Sequence, residues 1–146
     1  MKEIIDRVET ISSELGYEII DREESDELYQ ASFVKSNEIG GSFIIEKDSN
    51  FLEIASSYSF DADEENLLKE HLESIMNICY EYGSYFSITK DRDEINLSVF
   101  SKIYFSGLNV ESLQDTLEDF AACNHEIIEL FGIDEDDQAE EINGVQ

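Results

Sequence analysis

The chain has 146 residues, 41% of them hydrophobic, which is enough for one domain whose core needs neither a metal nor a disulfide to hold it. Thirty-six Asp and Glu stand against nine Lys and Arg, a net charge of −27. A charge of that sign and size is repelled by nucleic-acid backbones and anionic membranes, so neither is expected as a partner.

From Lys2 to Leu15 the apolar residues Ile4, Ile5, Val8, Ile11 and Leu15 form one helical stripe, and Gly16 stands where a left-handed C-cap is favoured. Tyr17 to Ile20 reads as a short strand, the acidic run Asp21 to Glu27 as a solvated turn, and Leu28 to Val34 as a second strand. After Gly40-Gly41, Phe43 and Ile45 alternate with Ser42, Ile44 and Glu46. Beyond the turn Asp48-Ser49-Asn50, Leu52, Ile54, Ser56, Tyr58 and Phe60 share one face. Two period-2 segments joined by a short polar link are an antiparallel hairpin.

At Asp61-Ala62-Asp63-Glu64-Glu65 the period changes, and Leu68, Leu72, Ile75, Cys79 and Tyr82 predict a helix that ends at Gly83. Ser84–Thr89 and Glu94–Phe105 predict a further hairpin. The longer strand sets Ile95, Leu97, Val99, Ile103 and Phe105 against Asn96, Ser98, Phe100, Lys102 and Tyr104. Asn109 then caps a last helix with the stripe Leu113, Leu117, Phe120, Ala121, Asn124, Ile128 and Phe131, closed by Gly132. The expected fold is therefore α+β, an antiparallel sheet with three helices in the order helix, strands, helix, hairpin, helix. It fills residues 1–132, and 133–146 follows as an acidic tail expected to be disordered.

Residue chemistry points away from catalysis. Cys79 and Cys123 sit inside helical apolar patterns and read as free buried thiols. His71 and Cys79 lie about 12 Å apart along a helix, while Cys123 and His125 project about 200° apart, so neither pair chelates a metal readily. Asp134, Asp136 and Gln138 recur at alternate positions as in a calcium loop, but the glycine at the sixth position and the glutamate at the twelfth are missing. Phosphate-cradling glycine loops and a nucleophile elbow are also missing. The expectation is no enzyme, no cofactor and no metal. The start, Met1-Lys2-Glu3-Ile4-Ile5-Asp6-Arg7, carries acids where a signal peptide is apolar, and no window approaches the roughly 18 apolar residues of a membrane span. A soluble, cytoplasmic protein is expected.

The second face of the long strand is the candidate site. Phe100 and Tyr104 fall opposite its core set, and the preceding strand offers either Phe86 and Ile88 or Tyr85 to pair across with them. We take Phe86, Ile88, Phe100 and Tyr104 as the candidate protein-interaction face.

The segment Leu97-Ser98-Val99-Phe100-Ser101-Lys102-Ile103-Tyr104-Phe105-Ser106-Gly107-Leu108-Asn109-Val110-Glu111-Ser112-Leu113 is a strand ending in a Gly-Leu-Asn turn. The helix carrying Leu117, Phe120 and Ile128 follows it. With the hairpin Phe43-Ile44-Ile45 to Leu52-Glu53-Ile54, this resembles the YbjN-like family of bacterial proteins, whose fold is similar to that of type III secretion chaperones. The resemblance covers about Met1 to Gly132; the acidic tail and the Asp21–Glu27 segment have no counterpart in it. It implies a homodimer or a protein-binding module that holds partner segments extended along apolar surfaces, and it transfers no catalytic residue. The function expected is a non-catalytic, chaperone-like or regulatory protein-binding module. Its partner is a protein, either basic or with an exposed apolar segment. The alternative is an acidic inhibitor of the immunity type that neutralises a basic toxin or nuclease.

Overall fold

A computed structural model describes residues 1–133. The elements run α1 (Lys2–Glu14), β1 (Glu18–Glu24), β2 (Leu28–Val34), β3 (Gly41–Glu46), β4 (Phe51–Asp61), α2 (Glu65–Glu70), α3 (Leu72–Glu81), β5 (Tyr85–Asp91), β6 (Glu94–Tyr104) and α4 (Val110–Phe131). Short 3₁₀ turns at Ala62–Glu64 and Phe105–Gly107 lead into α2 and α4. Every strand pair is antiparallel, in the order β1-β2-β3-β4-β6-β5. The architecture is α+β, with one six-stranded sheet.

The alternation in the sequence explains how the layers form. Phe43 and Ile45, then Leu52, Ile54, Tyr58 and Phe60, then Ile95, Leu97, Val99 and Ile103 all point to one side of the sheet and are buried. The helices meet them there: Ile5, Val8 and Ile11 from α1, Leu68 from α2, Ile75 and Cys79 from α3, and Leu113, Leu117, Phe120, Cys123, Ile127 and Ile128 from α4. Asn109 caps α4, its side chain accepting from the Ser112 N–H at 2.8 Å, and Gly132 ends it at φ +67°, which a glycine adopts without the Cβ penalty.

Two expectations change. The acidic stretch from Asp21 is not all turn, because β1 continues to Glu24 through a bulge. Pairing steps from Ile20↔Ser32 to Glu23↔Gln30, one residue more on β1 than on β2, with Asp21 at φ +52°. The helix predicted after Asp61 is two helices, so there are four among the described residues. At His71 the N–H turns back to the Leu68 carbonyl at 3.1 Å, and Phe131 packs edge-on against the imidazole at 5.3 Å. The break rotates the stripe. Leu68, Ile75 and Cys79 stay inside, while Leu72 and Met76 come to the surface. Most of the tail expected from residue 133, and the calcium-like spacing within it, lie outside the described residues.

One polar network crosses the core. Asn124 of α4 accepts hydrogen bonds from the hydroxyls of Ser56 and Tyr58, and its own amide donates to the Phe120 carbonyl at 2.7 Å. Burial pushes the Tyr58 phenol far above its ordinary range. At the sheet edge, Glu9 of α1 accepts from Arg22 at 2.8 Å and from Tyr29 at 2.9 Å, tying α1 to β1 and β2.

Candidate protein-interaction face

Among the described residues the helices lie on one side of the sheet and none lies on the other, whose central row, Ser32, Ser42 and Ala55, is nonetheless buried between taller neighbours; the strand registers dictate what that side shows. Ile20, Ser32, Ser42, Ala55, Phe100 and Tyr85 form one row across all six strands. Beside it run Glu23, Gln30, Ile44, Glu53 and Lys102. On the other flank lie Ser57, Ser98 and Ser87, and beyond them Ser59, Asn96 and Thr89. The middle of this face is therefore floored by small side chains.

A small floor between taller neighbours makes a depression. A groove of about 280 Å³ lies over β2, β3 and β4, with Ser32, Ser42, Ala55 and Ser57 beneath, Phe100 and Ile44 at the sides, and Asp21 and Glu23 at the β1 end. The bulge places Asp21 there, since the extra residue bends the strand and re-aims its side chains. Phe100 stacks on Tyr85 with ring centroids 5.2 Å apart, and the Tyr85 hydroxyl donates to Glu53 at 3.3 Å. Partial burial, with Glu53 adding to it, pushes the Tyr85 phenol up to about 12. Further along, Lys102 lies over the rings of Phe51 and Tyr104 at 5.0 and 5.3 Å. Among the described residues paired across this face, Lys102 is the only cation, against Glu18, Glu23, Glu46, Glu53, Asp61, Asp91 and Glu94.

The candidate residues divide between the two sides. Phe100 and Tyr104 are on the open face, with Tyr104 48% exposed. Phe86 and Ile88 are not with them. They stand opposite Val99 and Leu97, so they share the helix side, where Phe86 packs against the core. Tyr85 is the β5 residue that joins Phe100. The reason is register: a step of one residue exchanges the two faces of a strand, and the period of two is the same in either case. Asp21 and Glu23 were hidden in a run that read as turn. The signal that could have marked the groove is the run Ala55, Ser57 and Ser59 at alternate positions of β4; β2 and β3 give one small residue each, Ser32 and Ser42, which only the register aligns with it.

The remaining polar clusters are structural. Asp61, Asp63 and Glu64 converge within 4.8 Å, and the Glu64 carboxylate accepts from the Asp61 N–H at 3.0 Å as half of a capping box. Cys79 and Cys123 are buried neighbours on α3 and α4; the hydrogen bond between them lowers the one thiol, and that contact together with burial raises the other. His125 pairs with Glu129 at 3.1 Å on α4. No described helix is long and apolar enough to cross a membrane.

No protein-family model matches the chain, and no curated protein matches it. Among solved structures, the chain is similar to an uncharacterized protein from Methanothermobacter thermautotrophicus, with a TM-score of 0.65 at 12% identity. The likeness covers 87% of this chain and 96% of that one. At that identity it concerns the fold alone.

Proposed function

We propose that this protein is a non-catalytic protein-binding module whose open sheet face takes an extended, basic segment of a partner protein. The observation that carries this reading is the open face itself. One side of the sheet is covered by helices, and the other pairs a floor of small side chains with an almost wholly anionic frame. Asp21 and Glu23 at one end of the groove and Glu53 beside it offer acceptors to Lys or Arg, and the Phe100–Tyr85 stack offers an aromatic wall over a floor of small side chains. A net charge of −27 steers such a segment in from a distance. This agrees with what the resemblance to the YbjN-like family implies, a module that holds partner segments extended.

The same charge favours a second reading, an acidic inhibitor of the immunity type. The two differ in what is bound: a segment that binds as an isolated peptide supports the first, and a basic protein that binds only when folded supports the second.

The test is titration of a fluorescent lysine- and arginine-rich peptide of about twelve residues, followed by anisotropy. Binding should weaken as salt rises, and Glu23→Lys with Glu53→Lys should weaken it at least about tenfold. Equal affinity for the variant and the natural chain would refute the assignment of the face.

A further inference from the structure

We propose that the groove on the open face is a binding site for a free aliphatic polyamine, laid across the strands from β1 to β4. This rests on the open face being a binding surface, as proposed above, and goes beyond that reading in naming a small molecule as a ligand.

The groove presents acceptors that the fold does not use. Ser32 lines it and is only 2% exposed, yet its hydroxyl has no hydrogen-bond partner among the described residues. A buried hydroxyl without a partner is costly to the fold, and a donor brought by a ligand removes that cost. The side chains of Asp21, Glu23 and Gln30 line the same end and also make no hydrogen bond or ion pair among the described residues. All four can accept and two are anionic, so what they fit is a cation with several N–H donors. Towards β4, Glu53 gives one carboxylate oxygen to the Tyr85 hydroxyl and keeps the other unpaired. Its cross-strand neighbour Lys102 leans away over the rings of Phe51 and Tyr104.

The register sets how far apart these acceptors stand. Ser32 is one strand from the end formed by Asp21 and Glu23, and Glu53 shares a row with Glu23, Gln30 and Ile44, three strands away. Measured across the strands, at about 4.8 Å each, those offsets are about 5 and about 14 Å. An extended aliphatic chain advances about 1.25 Å per bond, so a propyl link separates two amines by about 5 Å and a propyl–butyl chain separates its end amines by about 11 Å. A carboxylate reaches an ammonium at about 2.8 Å, which closes the remaining gap to Glu53. Spermidine is that chain: one end amine meets Asp21 and Glu23, the inner amine donates to the Ser32 hydroxyl, and the other end amine meets Glu53. Its methylenes pass over Ala55 and beside Ile44, with Phe100 as the side wall. A lysine side chain has one ammonium and no inner amine, so it satisfies one end only.

Calorimetric titration of the full chain at physiological ionic strength tests it. Spermidine should bind one to one and more tightly than 1,8-diaminooctane, which has the same length and lacks the inner amine. Both should bind more tightly than 1,4-diaminobutane, which cannot span the two ends. Ser32→Ala removes only an unpaired hydroxyl, so its urea midpoint should not fall. It should weaken spermidine about tenfold, the loss of one hydrogen bond to a charged group, and leave 1,8-diaminooctane unchanged. Glu53→Gln should weaken both long amines, whereas Glu73→Gln, the same change of charge at an exposed site on α3, should weaken neither. Several equivalents bound with no response to Ser32→Ala or to chain length would show attraction to the net charge alone and overturn the proposal. No binding at about 1 mM spermidine overturns it as well. If the lysine- and arginine-rich peptide binds where spermidine does not, the polyamine site falls and the proposed function stands; if neither binds, both fall.

Discussion

Asn124 joins two layers of the fold through groups that cannot reach water. It is fully buried, as are Tyr58 and Ser56 at 1 and 4% exposure, and both hydroxyls donate to its amide oxygen. Asn124→Leu keeps the number and branching of the side-chain heavy atoms, at a larger volume, and removes the acceptor. Each stranded hydroxyl costs about 1–3 kcal/mol, and burying the new apolar side chain returns up to about 2 kcal/mol. The net loss should be about 2–4 kcal/mol, a large part of the roughly 5–15 kcal/mol that hold a domain of this size. Adding Ser56→Ala and Tyr58→Phe removes the stranded groups, so the triple variant should recover at least half of that loss although it carries more substitutions. Urea unfolding reads both numbers from the midpoints, provided the slopes agree. A loss below about 1 kcal/mol in the single variant, or a triple variant no more stable than the single, would refute the reasoning.

Further outcomes follow from particular contacts. The Arg22 guanidinium, helped by the Tyr29 hydroxyl and opposed by burial, holds the Glu9 carboxyl below its usual range. A depressed carboxyl stabilises the fold above its unfolded pKa of about 4.3, and that contribution is lost as pH falls through the folded value. Arg22→Ala should therefore flatten the fall of the urea midpoint at the acid end; identical pH slopes would count against the link. Gly41→Ala should destabilise by about 1–3 kcal/mol, because a Cβ there meets the Ala55 carbonyl at 2.8 Å and the Phe33 ring at 2.9 Å. Gly107→Ala meets nothing within 4 Å and serves as the control. Cys79 and Cys123 are both buried, so an aromatic disulfide reagent at neutral pH should label neither until denaturant is added; rapid labelling of the folded chain would contradict their placement.

Much of this fold could be read from the chain because its rules are local. The faces of β4 and β6 follow from the alternation of Leu52, Ile54, Tyr58 and Phe60 and of Ile95, Leu97 and Val99, and Asn109 and Gly132 mark the ends of α4. The misses came where local rules are silent. The stripe through Leu68, Leu72 and Ile75 runs unbroken in the sequence, yet the helix breaks at His71, where Phe131 from the far end of α4 packs against the ring. Asp21 to Glu24 offered no apolar alternation, since they form an edge strand held by β2 on one side only. The choice between Tyr85 and Phe86 rested on register, which cross-strand pairing decides and period cannot. The groove was legible in part: Ala55 and Ser57 alternate on β4, but Ser32 and Ser42 join them only through the register and Asp21 only through a bulge.

The central claim is that the sheet surface away from the helices is where a partner lies. Amide chemical-shift mapping of the ¹⁵N-labelled chain during titration with the basic peptide tests it most directly. The account predicts that the largest shifts fall on Ser32, Ser42, Ala55, Ser57 and Phe100 and fade as salt is added. Shifts concentrated on α1 and α4, or no shifts at saturating peptide, would contradict it.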